Sequence, residues 1–177
     1  MIKYKQSDIG FTETYIDLYL NNDYLMIDID FFINNYKISK IFKGKFFVKR
    51  LIKKVFKYKL KNKFVWKKNF WNDVEINECT AKITLKKNIK SLNQFVNILN
   101  REYSTKRVND VFKYQKLISK GKSLGSPLYI TGSCLNALGA NAKKNEIYML
   151  DGSRRLIASL LADIENTKLF LIKLNDE

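Results

Sequence analysis

The chain has 177 residues and is 46% hydrophobic, so it can bury one core and is expected to form about one domain. It has no histidine, which excludes the commonest general base and histidine metal sites and leaves acid–base chemistry to Asp, Glu, Lys or Tyr. Cys79 and Cys134 have no CxxC partner, which excludes a disulfide framework or zinc site and predicts buried thiols. The first 15 residues carry charges where a signal peptide is apolar, and no stretch is long enough to span a membrane. The sequence therefore predicts a cytoplasmic protein.

The net charge of +16 is unevenly placed along the chain. Residues 1–30 hold six acidic and two basic residues, whereas residues 31–72 hold 14 of the 33 Lys and Arg and no acid. Aromatic residues accompany these lysines, which favours a folded surface over a flexible linker. We therefore predict an acidic-then-basic, aromatic N-terminal region over residues 1–75, packed on a second unit over residues 76–177.

Within the basic region, residues 46–60 read FFVKRLIKKVFKYKL and predict a basic amphipathic helix. Its apolar residues share one face, and its basic residues share the other: Lys49, Arg50, Lys53, Lys54 and Lys57. Helices of this kind bind nucleic acid, bind anionic membrane surfaces, or pack on a core while their lysines face water. If the helix has a binding function, we predict that these five residues bind a polyanion.

Two shorter alternating stretches predict strands. In MIDID, residues 26–30, Asp28 and Asp30 alternate with isoleucines, which favours an exposed strand face over a paired-carboxylate metal site. ECTAKITL, residues 78–85, alternates in the same way.

The second half of the chain alternates between helical and extended patterns. Helices are predicted over residues 91–103, 108–120 and 154–164, and strands over residues 128–131, 146–150 and 168–174. Gly121 is placed to end the second of these helices, and residues 131–145 are long enough for a short helix and a loop. The pattern predicts an α+β fold, a small mixed sheet with packed helices.

One helix start in this half carries an unusual charge. Asp151 and Gly152 follow a strand, and Arg154 and Arg155 then fall in the first turn of a helix, where the dipole disfavours cations. A bound anion would make the interaction of these arginines with the helix start favourable. Free N–H groups, a close backbone approach at glycine and two guanidinium groups together suit a phosphate. The alternative is a solvated Arg-Arg pair on an ordinary turn.

The order of elements and the DGSRR sequence resemble the ParB and sulfiredoxin superfamily over residues 105–175. Asp151, Gly152, Arg154, Arg155 and Ala158 occupy the positions of its phosphate-binding box. The resemblance implies that Gly152 and the N–H groups of Ser153 and Arg154 cradle a nucleotide phosphate, with Arg155 as the charged contact. Ser153 stands where sulfiredoxins have their reactive cysteine, which excludes sulfiredoxin chemistry. Arg154 replaces a histidine of the free-serine-kinase branch.

Two hypotheses follow. The first is a small-molecule kinase or nucleotide hydrolase that uses Mg²⁺ with ATP, ADP or CTP, in which Asp151, or a nearby carboxylate such as Glu102, orients the metal or takes a hydroxyl proton. The second is a non-catalytic nucleotide-sensing module associated with DNA, in which residues 31–72 grip the phosphate backbone.

Overall fold

The computed structural model describes residues 4–6, 10–35, 70–138 and 140–177. Within these residues the chain forms a six-stranded mixed sheet in the order β1-β5-β4-β6-β3-β2. The strands are β1 (Lys5–Gln6), β2 (Ile16–Ile27), β3 (Val74–Leu85), β4 (Leu128–Thr131), β5 (Glu146–Asp151) and β6 (Asn166–Leu174). Two of the pairings, β1 with β5 and β4 with β6, are parallel, and the others are antiparallel.

Helices cover both faces of this sheet. They are α1 (Phe11–Tyr15), α2 (Ile29–Asn35), α3 (Leu92–Glu102), α4 (Thr105–Ile118), α5 (Gly132–Ala137) and α6 (Ser153–Leu161), and a 3-10 turn spans Phe70–Asn72. The strands alternate between two apolar clusters, so that Tyr129 packs with residues of α3, α4 and α6 while Ile130 packs with residues of α2 and α5. The α+β class with a mixed sheet and packed helices is confirmed.

The helix ends follow local chemistry. Ser91 caps α3 by accepting a hydrogen bond from the Gln94 N–H at 3.2 Å, and the Gln94 side chain accepts from the Lys90 N–H at 2.8 Å. Helix α4 ends at Ile118, and Gly121 follows with a φ of 73°, a left-handed conformation that favours glycine. The predicted stop at Gly121 is confirmed.

Most of the predicted elements of the second half occur within a few residues of their predicted bounds. The short helix predicted between residues 131 and 145 is α5, and the strand predicted at ECTAKITL lies inside β3, which begins four residues earlier. The predicted domain boundary at residue 75 falls within β3, and β1 and β2 belong to the same sheet as the later strands. Both Cys79 and Cys134 are buried free thiols, as predicted.

The strand predicted at MIDID is wrong. Strand β2 ends at Ile27, and α2 begins at Ile29. The reason is local: the Asp28 carboxylate accepts a hydrogen bond from the Phe31 N–H at 2.7 Å, as an N-terminal capping residue does. The capping aspartate therefore begins a helix here, although the alternation in MIDID predicted a strand.

The predicted basic helix lies outside the described residues, together with its proposed polyanion-binding residues Lys49, Arg50, Lys53, Lys54 and Lys57. No helix in the described part of the chain has the length and apolar character needed to cross a membrane.

Candidate functional site

The DGSRR sequence forms a sharp turn from β5 into α6. Strand β5 ends at Asp151, Gly152 has a φ of 102°, and α6 begins at Ser153, as predicted. A Cβ atom on Gly152 would lie 2.7 Å from the Pro127 Cα atom, so both the left-handed conformation and the close packing require glycine here. The turn is therefore fixed by its sequence and held against the segment before β4.

The start of α6 has free backbone donors. Its N-cap residue, Gly152, has no side chain to offer, whereas Ser91 caps α3 and Thr131 caps α5. The backbone N–H groups of Ser153 and Arg154 make no hydrogen bond to any described residue. These donors and the positive end of the helix dipole are available to an anion.

The two arginines of the turn are both paired with carboxylates. Arg154, whose side chain is 45% exposed, binds Asp110 of α4. Arg155, whose side chain is only 18% exposed, donates to the Asp151 Oδ2 atom at 3.0 Å and to the Leu124 carbonyl oxygen at 3.1 Å. Arg155 therefore clamps the segment before β4 to the turn, while Arg154 lies at the surface.

The two predicted catalytic carboxylates lie in different surroundings. Asp151 is at the turn and is a partner of Arg155. Glu102, at the end of α3, accepts a hydrogen bond from the Tyr15 hydroxyl at 2.6 Å and another from Arg101 at 3.3 Å. Its neighbour Tyr103, rather than Glu102, contacts Ser153, so the structure brings Asp151, Gly152, Ser153, Arg154 and Arg155 together without Glu102.

A polar group that sequence reasoning missed meets the start of α6. Tyr103 Oη lies 3.0 Å from Ser153 Oγ, and Thr12 Oγ1 lies 3.4 Å from the same atom. Thr12 also donates to the Glu13 carboxylate at 3.1 Å. We name these four residues, Thr12, Glu13, Tyr103 and Ser153, the Ser153 cluster. It connects a helix start to a carboxylate that is only 4% exposed.

The nearby Glu13 carboxylate raises the pKa of two tyrosines. Burial raises the pKa of Tyr129 well above its usual value, and the nearby Glu13 raises it further. Burial also raises the pKa of Tyr103, with Glu13 again adding to the effect and Arg107 and Arg154 opposing it. The Tyr129 hydroxyl is fully buried and has no hydrogen-bond partner among the described residues. A buried acid and buried hydroxyls thus lie on the side of the sheet that carries α6.

The sequence held a weak signal for this cluster. Glu13 lies between Thr12 and Thr14, with Phe11 and Tyr15 beyond them, and an acid in such a setting is buried only when it has partners. Its contact with the turn joins residues 141 positions apart, from Thr12 to Ser153, which no local pattern predicts.

No protein-family model, curated protein or solved structure matches this chain. The resemblance of residues 105–175 to the ParB and sulfiredoxin superfamily therefore stays a prediction.

Proposed function

We propose that the chain binds the phosphates of a nucleotide at the start of α6 and transfers a phosphoryl group to a hydroxyl acceptor or to water. One observation carries this proposal: a helix start with free N–H donors lies within two hydrogen bonds of a buried carboxylate, through Ser153 and Thr12 to Glu13. Phosphoryl transfer needs both parts, an anion cradle and a group that accepts a proton. The order of elements from α4 to β6 supports a ParB- and sulfiredoxin-like core as the finer fold.

The phosphate would sit against the first turn of α6. The N–H groups of Ser153 and Arg154 are the donors, and Gly152 allows the backbone to approach closely. Arg154 is the exposed cation, and it can exchange Asp110 for a phosphate oxygen because both side chains reach solvent. Arg155 has the lesser direct role, since it is committed to Asp151 and Leu124.

Glu13 is the general base in this proposal, in place of Glu102. It is buried, and Thr12 can pass it a proton from a hydroxyl group near Ser153. A Mg²⁺ ion bound with the nucleotide would supply charge neutralisation, and such ions need only one or two carboxylates beside the phosphates. Asp151 fits as one such ligand because it lies at the end of β5, beside the cradle.

A second function is favoured by the two arginine pairs. Each arginine already has a carboxylate, Asp110 for Arg154 and Asp151 for Arg155, so the turn is stable without an anion. A nucleotide that opened the Arg154 pair would alter the contact between α4 and α6. This is the behaviour of a nucleotide-sensing module that binds without turnover.

The test compares Glu13→Gln with Glu102→Gln in the full chain. With ATP, ADP or CTP, Mg²⁺ and a panel of small hydroxyl compounds, followed by phosphorus NMR, we expect Glu13→Gln to lower turnover by at least about a hundredfold. Nucleotide affinity measured by calorimetry should be nearly unchanged. Glu102→Gln is the matched control and should retain both the turnover and the nucleotide affinity of the wild type.

Equal turnover in Glu13→Gln and wild type would contradict the assigned base. Nucleotide binding by the wild type, without consumption of any nucleotide across the panel, would replace the enzyme with the sensing module. Absence of nucleotide binding would refute both.

A further inference from the structure

We propose that a groove along α4 binds single-stranded nucleic acid through its phosphate backbone. This site is separate from the start of α6 and does not depend on the function proposed there. The groove has a volume of about 380 Å³. Among the described residues it is lined by Asn109, Phe112, Lys113, Lys116, Leu117 and Lys120, and we name it the α4 groove.

The lysines of the α4 groove are among the lysines of the described chain that form no ion pair. Lys113, Lys116 and Lys120 are exposed, and among the described residues their side chains make no ion pair and no hydrogen bond. Elsewhere in the described part, Lys82, Lys143, Lys168 and Lys173 each lie within 4 Å of a glutamate carboxylate. Three exposed cations beside one groove create a positive potential that attracts an anionic partner.

The chain segment that forms the groove carries almost no negative charge. From residue 105 to residue 126 the chain has six basic residues and a single acid, Asp110, which is bound to Arg154. Lys113 and Lys116 lie about one helical turn apart on α4, and Lys120 follows two residues after the helix ends at Ile118. Three cations that follow one another along this surface suit several successive phosphates rather than one small anion.

The apolar side chains of the groove favour a single strand over a duplex. Phe112 and Leu117 are half-buried and line the same groove as the lysines. Phe112 packs on the core with part of its surface, which holds the ring in place. A fixed ring beside a row of cations is the arrangement on which unpaired bases stack while their backbone is neutralised. A duplex keeps its bases inside and would leave Phe112 unused.

The experiment measures binding of a fluorescein-labelled single-stranded oligonucleotide to the full chain by anisotropy at several salt concentrations. The test variant carries Lys113→Ala, Lys116→Ala and Lys120→Ala. The matched control carries Lys87→Ala, Lys90→Ala and Lys144→Ala, three exposed lysines whose loss changes the net charge equally. Phe112→Leu keeps a buried apolar side chain and removes the ring.

We expect the test variant to bind at least about tenfold more weakly and to reduce the slope of log K against log salt by about 2, since each phosphate contact on a single strand contributes roughly 0.7. The control should keep the wild-type slope. Phe112→Leu should weaken binding of the single strand by about fivefold or more, with little effect on a duplex. An oligonucleotide carrying 4-thiouridine should crosslink to residues 109–120.

Equal losses in the two triple variants would overturn the proposal, because net charge alone would then explain binding. No binding at low salt would overturn it as well. Binding to anionic lipid vesicles that depends on the same three lysines, without binding to oligonucleotide, would assign the surface to a membrane instead. Circular dichroism and melting temperature verify that each variant is folded.

Discussion

The two arginines at the start of α6 and the three lysines of the α4 groove lie in neighbouring parts of the fold, yet their ion pairing differs. Each arginine has a carboxylate partner, Asp110 or Asp151, whereas the lysines have none among the described residues. The helices themselves are tied together by a 2.7 Å hydrogen bond from Gln115 Nε2 to the Leu161 carbonyl oxygen. The difference teaches that a positive charge in a sequence can be paired with a carboxylate in the fold or stay exposed without one.

The largest expected effect concerns Arg155, the more buried of the two arginines. Arg155→Ala should lower the free energy of unfolding by about 2–3 kcal/mol, because it leaves Asp151 and the Leu124 carbonyl oxygen without their donor. Arg154→Ala is the control and should cost less than about 1 kcal/mol, since that pair is partly exposed. Urea unfolding measures both, and equal losses would show that burial does not distinguish them.

A smaller loss is expected when only the charge of the partner is removed. In Asp151→Asn the amide oxygen can still accept from Arg155, so the free energy of unfolding should fall by only about 1 kcal/mol. If Asp151 also binds Mg²⁺, turnover should fall by at least about a hundredfold, because an amide binds Mg²⁺ poorly. Retained turnover in a folded Asp151→Asn protein would limit this residue to its pair with Arg155.

Removing the other carboxylate, Asp110, should increase the affinity for a nucleotide rather than reduce it. Asp110→Ala frees Arg154, so affinity for a nucleotide should rise about three- to tenfold, measured by calorimetry. Arg154→Ala should lower that affinity. Stability is not the readout here, since an exposed pair contributes less than about 1 kcal/mol. Weaker nucleotide binding in Asp110→Ala would mean that Asp110 positions Arg154 rather than competing for it.

Buried thiols, Cys79 among them, lower the stability of the folded state at alkaline pH. Burial raises the pKa of Cys79 from 9.0 to about 12, with Glu78 adding to the shift. A raised pKa means that the folded state keeps its proton, so this contribution to stability is complete below pH 9 and is lost between pH 9 and about 12. Melting temperature should fall over this interval, and less so in Cys79→Ala when each protein is compared with its own value at pH 7. An equal fall in both would assign the loss to other groups.

The elements that local pattern defines were predicted, and those that depend on distant contacts were not. Apolar periodicity placed α3, α4, α6 and the later strands, because each of these elements turns its own apolar face to the core. The DGSRR turn was also found from sequence, since Gly152 and its following helix start are local features. Glu13 was missed, because its role depends on Thr12 meeting Ser153 across 141 positions. The partners of the arginines were missed for the same reason.

The position of β6 has a consequence for how this protein reaches its folded state. This strand follows the other five in sequence, yet it lies between β4 and β3 and pairs with both. Until residues 166–174 are available, the sheet consists of two separate parts, β1-β5-β4 and β3-β2, whose facing edges expose unpaired backbone groups. Completion of the sheet thus requires β6 to pair with β4, which is near in sequence, and with β3, which is distant. Sheets with such long-range pairings fold slowly, and their open strand edges can aggregate before pairing is complete. Before β6 pairs, each of these two parts would keep an open edge, and the pairing of β6 with both β4 and β3 closes the two edges.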